Sequence, residues 1–334
     1  MALAVPVAVS FLASLLLPFA FIPLLRRLGV VDVPNERSSH TKAVIRGVGA
    51  TIAAGVLLGL GTALLTGYVA VDRSLVLILI GVVASASLLG WVEDFRGLSI
   101  KTRFTGQLLI GAAATAALAA TLGQSYWWVP AGMLVIAGYI NVANFMDGVN
   151  GISGLHGMAV GILYAASGAL SGQVWLIAAG AVIAAAFAAF LPWNLGRGSV
   201  FMGDVGSYLL GASIAGTAVA ALLAGVYVEY LLFPILIYLL DTFTTLMRRI
   251  RRGERWYAAH RQHVYQRLTD AGLSHVQSAS FVTACTVLVG ATALVTGGSG
   301  WGTTAAGTVF VAAVAALYLA SPKLVAAIRG RTSA

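Results

Sequence analysis

The chain of 334 residues is 59% hydrophobic and only 9% charged, with a net charge of +9 and a mean hydropathy of +0.92. Soluble domains are about one quarter charged, so a water-soluble globule is excluded. The basic surplus does not signal nucleic acid, because membrane proteins gather Lys and Arg on their cytoplasmic side.

From the N-terminus onward, apolar runs of about 20 residues recur, each enough for a helix to cross about 30 Å of hydrocarbon. They are continuous rather than alternating, which predicts helices and not a barrel. Eleven spans are expected, near 3–25, 48–67, 74–92, 104–122, 128–145, 153–170, 173–191, 205–224, 228–246, 277–297 and 301–321. The expected fold is an all-α polytopic membrane protein, one integral-membrane domain over residues 1–334, without the internal repeat of many transporters. The first run lacks a basic leader, so no cleaved signal peptide is expected. Cys285 stands alone, which excludes an internal disulfide and a multi-cysteine metal site.

With eleven spans, the connections after spans 1, 3, 5, 7 and 9 share one side with the C-terminal tail. That side holds 19 of the 20 Lys and Arg residues, all but Arg73. The split predicts an outer N-terminus and a cytoplasmic C-terminus. The outer connections are short, and Trp127 and Trp128 suit an interfacial aromatic belt. The cytoplasmic connections are long and polar, so chemistry is expected there.

The first of these, VDVPNERSSHTKAVIRGVG, crowds Asp32, Arg37, His40, Lys42 and Arg46 beside Pro34; alone it reads equally well as a basic turn. The second, GWVEDFRGLSIKTRF, sets Glu93 and Asp94 at the end of span 3. Carboxylates at membrane depth mark a site by default, although a solvated helix end with an ion pair also fits. Lys101 offers a point charge for a phosphate. In the third, NVANFMDGVNGISG, the residues Asn141, Asn144, Asp147 and Asn150 recur at intervals of three, close together at a helix end. Such hard oxygens suit Mg²⁺ or Mn²⁺ rather than zinc, with helix capping as the simpler alternative.

The fourth connection, PWNLGRGSVFMGDVGS, runs straight into span 8. There Asp204 could hold a metal that bridges phosphates, or Asp204 or Ser207 could cap the helix. The fifth, MRRIRRGERWYAAHRQHVYQRL, packs seven basic residues between Arg248 and Arg267 with His260 and His263. Lipid headgroups and a polyanionic substrate are the two readings. Asp241, the one clear acid deep in a span, is expected to pair with Arg248 or Arg249. His156 is expected to be structural, His275 to cap or solvate the end of the last loop, and Gly157 with Gly161 to pack helices. Together the loops are equipment for a metal-dependent reaction on phosphates. No Walker loop, Rossmann fingerprint or serine triad is present.

In order along the chain stand Asp32-x-Pro34-Asn35-x-Arg37-x-x-His40, Glu93-Asp94-(x)6-Lys101, Asn141-x-x-Asn144-x-x-Asp147-Gly148-x-Asn150-Gly151, Phe201-Met202-Gly203-Asp204-x-Gly206-Ser207 and Arg261-x-His263. This series, over roughly residues 1–320, resembles the polyprenyl-phosphate N-acetylhexosamine-1-phosphate transferases. The third and fourth motifs are the most specific. The RSSH and HRQHVYQRL stretches look most like the branch that starts O-antigen or capsular chains.

The resemblance implies that a UDP-N-acetylhexosamine passes its sugar-1-phosphate to undecaprenyl or another polyprenyl phosphate, releasing UMP, at the cytoplasmic face of a bacterial inner membrane. It implies Mg²⁺, or Mn²⁺, held by Asp204 and Asn144. It implies uracil contacts from Phe201 and Asn194, and sugar or phosphate contacts from Arg261 and His263. Asp94 and Asp147 match acids assigned to catalysis, with Glu93 beside them. Arg37, His40, Lys101, Asn150 and His260 complete the expected substrate-binding set. A phosphate monoester is already largely dianionic at pH 7, so Asp94 and Asp147 are expected to position groups rather than to act as strong bases. The oligomer is left open, a homodimer being one form.

Four departures stand out. Glu93-Asp94 replaces an Asp pair, Asn150 replaces an Asp, Ala43-Val44-Ile45 replaces a proline-bearing stretch, and His263-Val264-Tyr265-Gln266 replaces a histidine cluster. The last leads to the expectation of an altered sugar pocket. A lipid or solute transporter and an inactive family member remain the alternatives. A transporter would place paired charges at mid-membrane, whereas the acids here gather at helix ends.

Overall fold

The computed structural model describes residues 3–32, 44–196, 200–254 and 260–332. Arg37, His40 and Lys42 lie outside the described residues. The helices run α1 Ala4–Arg27, α2 Gly49–Leu65, α3 Arg73–Arg96, α4 Ile100–Leu122, α5 Trp128–Met146, α6 Ile152–Leu170, α7 Val174–Leu195, α8 Gly203–Leu223, α9 Val228–Leu232, α10 Leu236–Arg251, α11 Val264–Asp270, α12 His275–Thr296 and α13 Trp301–Thr332. A 3₁₀ turn at Phe233–Ile235, where Pro234 lacks a backbone donor, joins α9 to α10 within one apolar stretch. Among the described residues, ten helices are long and apolar enough to cross a membrane, the stretch from α9 to α10 counting as one. The eleventh expected span is α2, apolar but only 17 residues long. The chain is therefore a polytopic, all-helical membrane protein.

Helix ends follow local chemistry. Ser99 accepts from the backbone N–H of Thr102 at 3.1 Å to start α4. Ser274 and Gln277 form a capping box on α12, so of the two expected roles for His275, capping or solvating this end, the cap falls to Ser274. Several helices outrun their expected limits, α3 and α13 with the most consequence. α3 continues to Arg96 and carries Glu93 and Asp94 in its last turn, and α13 continues to Thr332, so Lys323 and Arg329 stand on a helix rather than in a tail.

The core centres on α8, which is buried along almost its whole length and packs chiefly against α3 and α5. Small residues allow this, as they do wherever helices must meet without water between them. Gly206 of α8 lies on Gly49 of α2, Gly211 lies on the backbone of Ile140 in α5, and Gly90 of α3 lies on the backbone of Asp204 and Val205. Gly157 and Gly161 pack α6 onto Phe187 and Ala184 of α7, as expected. Large apolar side chains such as Phe19, Leu109, Val295 and Val309 face outward, as lipid contact requires.

A two-stranded antiparallel ladder, β1 Val31–Asp32 with β2 Val44–Ile45, closes the first loop, in the register Val31 to Ile45. The fourth loop adds to it. The N–H of Phe201 donates to Ile45 O at 2.9 Å, and the N–H groups of Val48 and Gly49 donate to Phe201 O and Met202 O at 3.2 and 2.9 Å. The first and fourth loops thus meet at the start of α8, beside the end of α3.

Candidate active site

The centre is assembled at the N-terminus of α8. Asp94, whose side chain is fully buried, accepts from the backbone N–H groups of Asp204 at 3.1 Å and Val205 at 3.0 Å. Its two oxygens thereby satisfy donors that a helix start leaves without intrahelical partners. Gly203 makes the approach possible, because its φ of +72° suits glycine and a Cβ there would strike the Asp94 carboxylate. Arg46 brings its Nε within 3.5 Å of Asp94 Oδ1 and donates from Nη2 to Asp94 O at 2.9 Å. The capping reading of Asp204 and Ser207 is therefore corrected: a carboxylate 110 residues away caps the helix. Asp94 supports the backbone that carries Asp204.

Asp204 is half-buried, and its Oδ1 accepts from Asn144 Nδ2 at 2.6 Å. The same amide donates to Ser207 Oγ at 3.0 Å. Asp147 is the first residue beyond α5 and accepts from Ser153 Oγ at 2.7 Å. Burial pushes the Asp147 carboxyl up to about 7; the Ser153 hydrogen bond opposes this, and the neighbouring Asp204 and Asp94 charges add to it. The third motif divides: Asn144 and Asp147 face Asp204, while Asn141 turns to α4 and donates to Gln107 Oε1 at 2.6 Å.

Glu93 is held by Arg103 at 3.0 Å and accepts from the N–H of Leu98, which ties α3 to α4. Lys101, expected to offer a point charge to a phosphate, is exposed at the start of α4. Arg46 enters the sequence reading as one of the crowded residues of the first loop, and Arg103 only through charge asymmetry. The tight corner made by Gly97 and the Ser99 cap is the signal that would have brought Arg103 to Glu93.

The last loop docks through Asp241. It is wholly buried and does not pair with Arg248 or Arg249, which corrects that expectation; Arg249 pairs with Glu254 at 2.9 Å. Asp241 accepts instead from Tyr318 of α13 at 2.7 Å, from the N–H of Val264 at 3.0 Å and from Thr245 at 3.2 Å, and it meets His263 Nδ1 at 3.1 Å. This fixes the buried His263 ring 6.5 Å from that of Phe145, near the end of α5. Tyr265 rests on Gly148 and donates to Phe145 O at 3.1 Å, while Gln266 accepts from the N–H of His263 at 3.3 Å. Both are buried and help to dock the loop. His260 is half-buried, and burial, with His263 and Arg249 beside it, lowers its imidazole to about 4, so it is neutral at pH 7. His156 is structural as expected, with Nε2 2.8 Å from Tyr139 Oη and its ring stacked on Tyr238.

Of the expected uracil contacts, Asn194 is buried, accepts from the N–H of Gly151 and donates to Val200 O at 2.8 Å, which pins α6 to the fourth loop. Phe201 is half-buried in the ladder, and Asn150 is half-buried beyond Asp147. Arg261 pairs with Asp270 at 3.4 Å. Among the described residues, no three His, Cys, Asp or Glu side chains form a metal site of their own. Hard oxygens do stand together at Asp204, Ser207 and Asn144, whose amide presents oxygen if turned by half a rotation. That donor set fits Mg²⁺, which takes one or two carboxylates and leaves other positions to water and phosphates.

This geometry defines a class: a multi-pass membrane protein with carboxylates, amides and arginines gathered at the end of its most buried helix. Residues 75–222 match the model of glycosyl transferase family 4. The chain is 29% identical over 295 residues to a Bacillus subtilis (strain 168) protein named "Probable undecaprenyl-phosphate N-acetylglucosaminyl 1-phosphate transferase", covering 81% of this chain and 80% of that one. It is 28% identical to a decaprenyl-phosphate N-acetylglucosaminephosphotransferase of Mycobacterium tuberculosis (strain ATCC 25618 / H37Rv), covering 80% and 76%. An undecaprenyl-phosphate alpha-N-acetylglucosaminyl 1-phosphate transferase of Yersinia pestis is 26% identical, covering 84% and 80%.

Proposed function

We propose that the chain transfers N-acetylhexosamine-1-phosphate from a UDP-sugar to polyprenyl phosphate, releasing UMP, and so starts a cell-surface polysaccharide of O-antigen or capsule type. The observation that carries this is the meeting of Asp204, Asn144 and Asp147 beside Arg46 and Arg103 at the start of α8, in a chain whose relatives bear such transferase names. An oxygen of the lipid phosphate attacks the sugar-bearing phosphorus of the UDP-sugar. The bond from that phosphorus to the bridging oxygen breaks, and the oxygen leaves with UMP.

Asp204 and Asn144 would hold Mg²⁺, which would neutralise phosphate charge and orient the diphosphate. Asp94 positions Asp204 through the helix backbone. Asp147 is poised to accept the residual proton of the minor monoanionic lipid phosphate, while the dianionic majority needs no base. His263, which Asp241 holds in place, would meet the sugar phosphate.

One phosphoanhydride is broken and a similar one is made, so the reaction runs in both directions. Purified protein with Mg²⁺, UDP-N-acetylglucosamine and polyprenyl phosphate is expected to exchange labelled UMP into the UDP-sugar. EDTA and Asp204→Ala should each lower the exchange by about 10²–10³-fold or more. No exchange from a folded preparation across several UDP-sugars would refute the transferase reading, and a transporter gives none.

A further inference from the structure

The fifth loop carries more positive charge than the site above employs. At the end of α10, beside α11 and the C-terminal part of α13, lies a cavity of about 470 Å³, within the usual range for small-molecule sites. Five cations line it: Arg248 and Arg252 from the end of α10, Arg261 and Arg267 around α11, and Lys323 of α13. None of Asp94, Asp147, Asp204 and Asn144 lines it.

The nearby acids do not balance this charge. Glu254 meets Arg249 at 2.9 Å and Arg252 only at 3.9 Å, and Asp270 meets Arg261 at 3.4 Å. Asp241 is wholly buried and engaged by His263, Tyr318 and the backbone of α11. Among the described residues, Arg248, Arg267 and Lys323 have no carboxylate within ion-pair distance. Like charges held around one hollow repel, and an anion in the hollow reverses the sign of that energy. Guanidinium forks match phosphate oxygens in particular.

Depth selects the source of the phosphate. Lys323 stands 22 residues along α13 from Trp301, about 33 Å at 1.5 Å per residue. Arg248 stands 20 residues beyond Val228, about 30 Å on the same measure. Both lengths match the hydrocarbon thickness, so the hollow opens at headgroup level. Leu319, one turn before Lys323 on the same face of α13, also lines it and gives the wall an apolar lower part.

We propose that this hollow binds the anionic phosphate ester of a membrane lipid, with the oxyanion among the guanidinium groups and the chain descending past Leu319. The occupant is an acidic phospholipid such as phosphatidylglycerol, polyprenyl phosphate being the acceptor already assigned to the site at the start of α8.

The test is native mass spectrometry of the delipidated full-length protein, titrated with phosphatidylglycerol, zwitterionic phosphatidylcholine or inorganic phosphate. Phosphatidylglycerol should be retained about tenfold more strongly than phosphatidylcholine. The double variant Arg252→Gln/Lys323→Gln alters two exposed side chains, so its melting temperature should match the parent's while the preference for anionic lipid disappears. Arg252→Lys/Lys323→Arg should restore it. Anionic lipid retained equally by the Gln double variant would overturn the proposal. So would phosphatidylcholine or inorganic phosphate held as strongly as phosphatidylglycerol.

Discussion

Asp147 couples chemistry to stability at a single residue. Its carboxyl lies at about 7 in the fold against an ordinary 3.8. Between those values the folded protein holds a proton that the unfolded chain has lost, so stability falls as pH rises through this window. Replacing the group with a neutral amide removes the slope. In EDTA and detergent, Asp147→Asn should melt a few degrees above the parent at pH 8 and match it near pH 4, while UMP exchange is lost. Parallel melting curves for the two proteins across that range would show that Asp147 ionises in the fold as it does in water. Asp94 and Asp204 are both acids of specific motifs, yet the structure separates their roles. Nothing local distinguishes them in the sequence, because the bonds from Asp94 reach to Asp204 and Val205 across more than a hundred residues.

At the scale of the helix, the site depends on how closely backbones approach. A Cβ on Gly90 would press on the carbonyl of Asp204 and the Cα of Val205. Gly90→Val should therefore push α3 away from α8, drag Asp94 off the helix start, and cost about 1–3 kcal/mol of stability. UMP exchange should fall much further than a thermal melt alone would suggest. Normal exchange in Gly90→Val would mean that the α3–α8 contact does not set the position of Asp204. The helices themselves were legible in the sequence, since spanning lipid takes about 20 apolar residues and leaves little choice of structure. The end of α4 was legible before Gly123, whereas α3 stops at Arg96, before Gly97, and α4 starts at Ile100, after Ser99, each four residues from the expected limits of 92 and 104. What stayed hidden were bonds between distant elements. Asp241 was visible as a buried acid, but its partners Tyr318 and His263 come from α13 and the last loop, and no spacing rule links them.

At the scale of the whole molecule, the basic asymmetry predicts which side the site faces. Reporter fusions after Ile250 and after Arg331 should read as cytoplasmic, and one after Arg73 as external. An external signal from the Ile250 fusion would reverse that assignment. One dimension of the molecule bears on its setting as well. The 17 residues of α2 reach about 26 Å, short of a typical hydrocarbon layer of about 30 Å. One end of α2 is anchored, because Gly49 is pressed against Gly206 and its N–H is bonded to Met202 O beside Asp204. The shortfall therefore falls on the surrounding lipid, as hydrophobic mismatch: the annulus around α2 thins, or the helix is drawn inward and strains its anchor. Bilayer thickness then becomes a variable of the enzyme. Reconstituted in lipids of increasing acyl length, the protein should turn over more slowly as the membrane thickens, with no such trend in detergent. Turnover that ignores acyl length would mean that α2 tilts or slides without disturbing Asp204.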